Sequence, residues 1–127
     1  MNHDADNSPA GLPSGYPFQR DWEMTPRELK ALLDKRAPVI VIDVRTDSER
    51  SLASIAGTMH VPLSELPARI QALREHESDR IVVLCHHGTR SLKATELLRQ
   101  SGFDDVRSLA GGIHLLSMDI DPSIPAY

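Results

Sequence analysis

Two stretches of the chain, Val39-Ile40-Val41-Ile42 and Ile81-Val82-Val83-Leu84, are apolar at every position and contain mostly β-branched residues. Such runs predict strands buried on both faces, the habit of parallel sheets, whereas a half-solvated strand would alternate apolar with polar. Between and around them the apolar residues recur at helical spacing. Thr25-Pro26-Arg27-Glu28 places a capping hydroxyl, a proline at the first helical position and a glutamate three residues after the cap. That capping box predicts a helix with Leu29, Leu32 and Leu33 turned inward, its connection to the next strand ending at Pro38. Thr46-Asp47-Ser48-Glu49-Arg50 predicts a short helix begun by Thr46 or Asp47.

Gly57 to Leu63 reads as a turn and a short strand stopped by Pro62, and Leu66, Ile70 and Leu73 mark a further helix. After Arg90 the positions Leu92, Ala94, Leu97 and Leu98 predict a helix closed by Gly102 as a left-handed cap, then a short strand around Val106. Ala110-Gly111-Gly112 allows a tight backbone approach before a last helix near Ile113 to Met118, and Asp121 to Tyr127 reads as a proline-broken tail on the surface. Strand and helix alternate throughout. The predicted class is therefore α/β, a central parallel sheet flanked by helices on both faces.

Composition narrows the possibilities. At 127 residues the chain has material for one ordinary domain. Residues 1–21 mix Asp, Asn, Ser, Gly and Pro with little that could be buried, which predicts a flexible N-terminal arm ahead of a domain over 22–127. The formal charge of −4 gives no ground for nucleic acid or an anionic membrane as partner. The N-terminal segment has neither the basic start nor the apolar core of a secretory leader, and no apolar run is long enough to span a bilayer, so a cytoplasmic location is expected. One cysteine can form no internal disulfide and no multi-cysteine zinc site, so its use is packing or reactivity.

That cysteine, Cys85, ends the second apolar run and opens the loop Cys85-His86-His87-Gly88-Thr89-Arg90 before a helix. At a strand-loop-helix junction the first helical N–H groups lack intrahelical partners and lie at the positive end of the helix dipole. With Gly88 letting the loop curl, several amides can converge into an anion-binding nest. The thiolate is the reactive form of cysteine and is favoured in such places, so Cys85 is the candidate nucleophile, with His86, His87, Gly88, Thr89 and Arg90 as its cradle. Asp43, Arg45 and Glu49 follow or end the first apolar run. The rule that ligands bind outside the carboxyl ends of parallel strands puts Asp43, Arg45 and Cys85 on one rim, with Asp43, Arg45 and Glu49 as supporting residues. His86 and His87 read as exposed loop side chains. A metal would need further ligands, for which His60 or His114 could be considered, and adjacent residues on a tight loop rarely point at one ion; no metal is assigned. Trp22 and Phe103 read as core or arm-docking residues.

From about Trp22 to Tyr127 the chain resembles a single-domain rhodanese of the rhodanese homology family. The resemblance is carried by Ile42-Asp43-Val44-Arg45-Thr46-Asp47-Ser48-Glu49, by Gly57 to Leu63, by the loop from Cys85 to Ser91, and by Leu109 to Ile113 with the tail from Asp121 to Tyr127, in the family's order. It departs from the common pattern at Ala53-Ser54-Ile55, and at Leu115-Leu116 where many members carry an aromatic residue. The resemblance implies a rhodanese-like sulfurtransferase in which Cys85 carries a persulfide, loaded from a small anionic sulfur donor such as thiosulfate and discharged to cyanide or a thiol acceptor. It implies no cofactor. Phosphatases and arsenate reductases of the same fold place five residues between Cys and Arg, and four stand here, so that enzyme class is the weaker alternative. The other alternative, a non-catalytic binding or signalling module, typically lacks the loop cysteine.

Overall fold

The computed structural model describes residues 11–127. Its elements alternate as the apolar pattern requires: β1 (Glu23–Met24), α1 (Pro26–Asp34), β2 (Ile40–Asp43), α2 (Asp47–Leu52), β3 (Met59–His60), α3 (Leu66–Arg69), β4 (Arg80–Leu84), α4 (Thr89–Gln100), β5 (Asp105–Leu109) and α5 (Gly112–Asp119). The strands form one sheet in the order β1-β5-β4-β2-β3, every neighbouring pair parallel. After β2 the chain moves to β3 on one side, and after β4 it moves to β5 on the other. The carboxyl ends of β2 and β4 therefore flank the point where the winding changes direction, the crevice that open α/β sheets use for ligands.

Side chains of β4 alternate between two cores. Ile81, Val83 and Cys85 join Ala94 and Leu98 of α4, Leu66 of α3 and Phe103 on one face. Val82 and Leu84 join Leu29 of α1, with Ile113 and Leu116 of α5, on the other. All of these apolar residues are buried, so the uninterrupted apolar run is explained by a strand covered on both sides. The Thr25 capping box on α1 and a second one from Thr46 on α2 are both formed.

Four expectations are corrected. Leu33 is 48% exposed instead of inward, because α1 buries only Pro26 and Leu29 and half-buries Leu32. Ile40 and Val41 are half-buried, since β3 pairs with Ile42 and Asp43 and leaves the earlier part of β2 at an open edge. The helix expected over Leu66 to Leu73 is a single α-turn, flanked by tight three-residue helices at Leu63–Glu65 and Arg74–His76. The C-terminal tail is not simply laid on the surface. Ile124 is buried against the α1/α5 core, its carbonyl accepting from Ser117 Oγ at 2.6 Å.

The expected arm falls, for residues 1–10, outside the described residues. Within 11–21, Tyr16 reaches the domain: its hydroxyl donates to Glu23 at 3.0 Å and accepts from the Gly111 amide at 2.9 Å. Burial first, then the charge of Glu23, pushes the Tyr16 phenol up to about 12. Trp22 is half-buried beneath the Arg99 guanidinium, 4.2 Å from its ring centre. Among the described residues no helix is long and apolar enough to cross a membrane.

Candidate functional site

β4 delivers Cys85 to the floor of the loop, where it is 1% exposed. Gly88, the N-cap of α4, takes the left-handed conformation at φ 109°, which a residue with a Cβ adopts only under strain. That turn folds the chain back so that the Gly88 amide donates to Cys85 Sγ at 3.0 Å and the Ser91 amide does so at 3.3 Å. In α4 the first backbone bond back to the cap is from Leu92 to Gly88 O, so the amides of Thr89, Arg90 and Ser91 precede the helical ladder. The sulfur thus acts as the acceptor that caps a twelve-residue helix. Ser91 was not singled out from the sequence. Its hydroxyl lies 3.3 Å from Sγ and 2.7 Å from Ser108 Oγ, and it donates to Gly88 O at 3.1 Å, which ties the loop to β5.

A second clamp comes from α5. The amides of Ile113 and His114 donate to the carbonyls of Cys85 and His86, at 2.8 and 3.0 Å. This needs Gly112 at φ 62°, where a Cβ would stand 2.4 Å from both carbonyl oxygens. The close approach expected at Ala110-Gly111-Gly112 is therefore aimed at the backbone of the cysteine loop itself. Leu115 and Leu116, where the chain departs from the common family pattern, are both buried, Leu116 in the core shared with α1.

The supporting residues form one network. Arg45 is fully buried and grips Asp43 with two nitrogens, Nε at 3.0 Å and Nη2 at 2.8 Å; Nη2 also donates to Ala53 O, and Nη1 to Tyr127 Oη at 2.8 Å. Tyr127 in turn donates to Glu49 at 3.0 Å, and Glu49 accepts both ends of the Arg90 fork, at 2.5 and 2.8 Å. Asp43, Arg45, Glu49 and Arg90 are thus brought together, and the chain's last residue completes the link. Nothing singles out Tyr127 in the sequence beyond its place in a tail that matches the family pattern and was expected on the surface. Its ring also stacks on His86, centroids 4.0 Å apart and nearly coplanar, while His87 packs on His86 at 3.9 Å. His86 is therefore half-buried and not a free loop side chain; His87 and Thr89 are exposed. Burial first, then the neighbouring His87, holds the His86 imidazole below the ordinary histidine range.

Glu49 is held down to about 2, chiefly by the hydrogen bonds from Arg90. A carboxylate depressed in the folded state stabilises fully above its unfolded value near 4.5 and loses that contribution as the pH falls through about 2. Glu49→Gln is accordingly expected to be less stable than the parent at neutral pH, with the gap narrowing between pH 4.5 and 2; urea unfolding across that range measures it. If Arg90 serves to lock the loop onto Glu49, Arg90→Lys loses the planar fork and should lower turnover nearly as far as Arg90→Ala, about tenfold or more. Rescue by lysine with strong salt sensitivity would instead make Arg90 a diffuse attracting charge.

The pattern of the Rhodanese-like domain family matches residues 25–118. The maize adenylyltransferase and sulfurtransferase MOCS3-1 is 35% identical over 125 residues, covering 94% of this chain and 27% of its own. This chain thus spans about a quarter of the length of that relative. The human single-domain sulfurtransferase TSTD1 superposes with a TM-score of 0.60 at 32% identity, over 71% of this chain and 89% of the other. A rhodanese-related protein from Thermoplasma volcanium gives a TM-score of 0.71 at 27% identity, over 84% of this chain and 99% of the other.

Proposed function

Because the chain belongs to the family of rhodanese-like domains, we propose that it moves a sulfane sulfur through a persulfide on Cys85, from thiosulfate or another persulfide to cyanide or a thiol. The observation that carries this reading is the convergence of the Gly88 and Ser91 amides on Cys85 Sγ within a four-residue loop. In the first half-reaction the Cys85 thiolate attacks the outer sulfur of thiosulfate. The new S–S bond forms as the S–S bond of thiosulfate breaks, and sulfite leaves with its electron pair. A persulfide anion remains. Its terminal sulfur extends past Sγ toward the start of α4, where the amides of Thr89 and Arg90 and the helix dipole supply oriented positive charge. Cyanide or a thiolate then attacks that sulfur and returns the Cys85 thiolate. No group beyond the chain's own residues enters these steps.

The maize and human relatives named as sulfurtransferases support the sulfur-moving class. Thiosulfate is the small anionic donor proposed for this site. The short loop supports it against the oxyanion-hydrolysing alternative, because a thiol so little exposed is met more readily by one protruding sulfur than by a branched tetrahedral group. Parallel assays decide between them. Thiocyanate formation from thiosulfate and cyanide is expected, with hydrolysis of a chromogenic aryl phosphate at background; the reverse ranking would overturn the reading.

A further inference from the structure

His86 and His87 follow Cys85 in the loop, and His114 stands in the first turn of α5. Their rings meet: centroids lie 3.9 Å apart for His86 and His87, 4.8 Å for His87 and His114, and 5.9 Å for His86 and His114. Each ring offers a nitrogen within 4.8 Å of those offered by the other two. The backbones that carry the rings are held together, since the His114 amide donates to His86 O at 3.0 Å and Gly112 sits against the Cys85 and His86 carbonyls with no room for a Cβ. Two of the ring nitrogens, His86 Nε2 and His114 Nδ1, are buried without a hydrogen-bond partner. Leaving such an atom unpaired is unfavourable, and nothing in the sulfur-transfer reading uses either one.

We propose that His86, His87 and His114 form a binding site for a divalent transition-metal ion of the Zn2+ class, with His86 Nε2 and His114 Nδ1 as two of its ligands. Three imidazoles suit Zn2+, Cu2+ or Ni2+ and do not suit Mg2+ or Ca2+, which select oxygen. Three protein nitrogens with solvent in the fourth position is an open zinc geometry. At Zn–N distances of about 2.0 to 2.1 Å, tetrahedral ligand nitrogens stand about 3.4 Å apart. The 4.8 Å separation must therefore close by ring rotation, and His87, the exposed member, is free to swing. The sequence alone argued against a metal because adjacent loop residues seldom share an ion. Here His87 folds over His86 and α5 brings the third ring, which adjacency does not foretell. His60, the other histidine considered from the sequence, is engaged elsewhere, its Nε2 2.8 Å from Arg45 O.

The test titrates ZnCl2 calorimetrically into the full chain carrying Cys85→Ser, so that no thiolate competes as ligand. One ion per chain is expected. His114→Ala and His87→Ala, each added to that background, should weaken binding by tenfold or more, while His60→Ala leaves it unchanged. Circular dichroism checks each fold, and His87, being exposed, keeps the test open should His114→Ala unfold. Absence of binding by the parent, or parental affinity retained in either folded variant at His87 or His114, would overturn the proposal. Neither result bears on whether Cys85 carries sulfur.

Discussion

Cys85→Ser is expected to fold and to lose sulfur transfer by about 10³-fold or more, to the background of the assay. The fold should survive because the hydroxyl is close in size to the thiol and can accept from the same amides of Gly88 and Ser91. Chemistry should not survive. An alkoxide is not available near neutral pH without a base, and oxygen forms no stable analogue of the persulfide that a second acceptor could discharge. The chain has one cysteine, so no other thiol can stand in. Thiocyanate production measures the loss, and turnover retained at more than a few percent would place the reaction elsewhere.

Gly112→Ala should be nearly as damaging, although residue 112 lies outside the loop. A Cβ there would meet Cys85 O and His86 O at 2.4 Å and the His86 carbonyl carbon at 2.6 Å. These are backbone atoms and cannot swing aside like the end of a long side chain. Restoring ordinary contact requires α5 and the cysteine loop to separate by about 1 Å, which is enough to cost about 10²-fold when it displaces groups at a reacting centre. Overpacking and the left-handed φ together should lower stability by about 2 to 4 kcal/mol. Gly57→Ala supplies the comparison: Gly57 also has a positive φ, at 82°, but its Cβ would meet nothing within 4 Å. That variant should show backbone strain of about 1 kcal/mol and keep its activity. Equal behaviour of the two variants in urea unfolding and turnover would contradict the clamp.

How far the sequence could be read follows from the range of the forces involved. Apolar runs at Val39 to Ile42 and Ile81 to Leu84 announced the neighbouring strands β2 and β4; burial on both faces explains the run in β4, whereas β2 is fully buried only at its Ile42 end. At the second helix only a start at Thr46 or Asp47 was read and the structure adds the Thr46 capping box, while the capping box at Thr25 was legible because its partners lie three residues apart. Cys85 and the cradle up to Arg90 stood out for the same reason, as one contiguous strand-loop-helix junction. Asp43, Arg45 and Glu49 were legible as rim residues from the strand-end rule, but the pairing of Glu49 with Arg90 was not, because it joins side chains 41 residues apart. What stayed hidden depends on chain segments far apart in sequence. Tyr127 lies 78 residues from Glu49 and 82 from Arg45, and a tail broken by prolines carries no periodicity to show that it turns back. Gly112 was legible as a close approach but not as to which backbone it approaches. Ser91 was passed over because helical spacing marks it as one more core-facing position, whereas its amide and hydroxyl both face the sulfur.

The central claim is that Cys85 stores one sulfur atom, and intact mass tests it most directly. The wild-type chain is incubated with thiosulfate, freed of excess donor and weighed, alongside a sample loaded from a small-molecule persulfide. The account predicts a gain of one sulfur atom per chain, located at Cys85, removed by cyanide with equal release of thiocyanate, and absent from Cys85→Ser. An unchanged mass with both donors would contradict it.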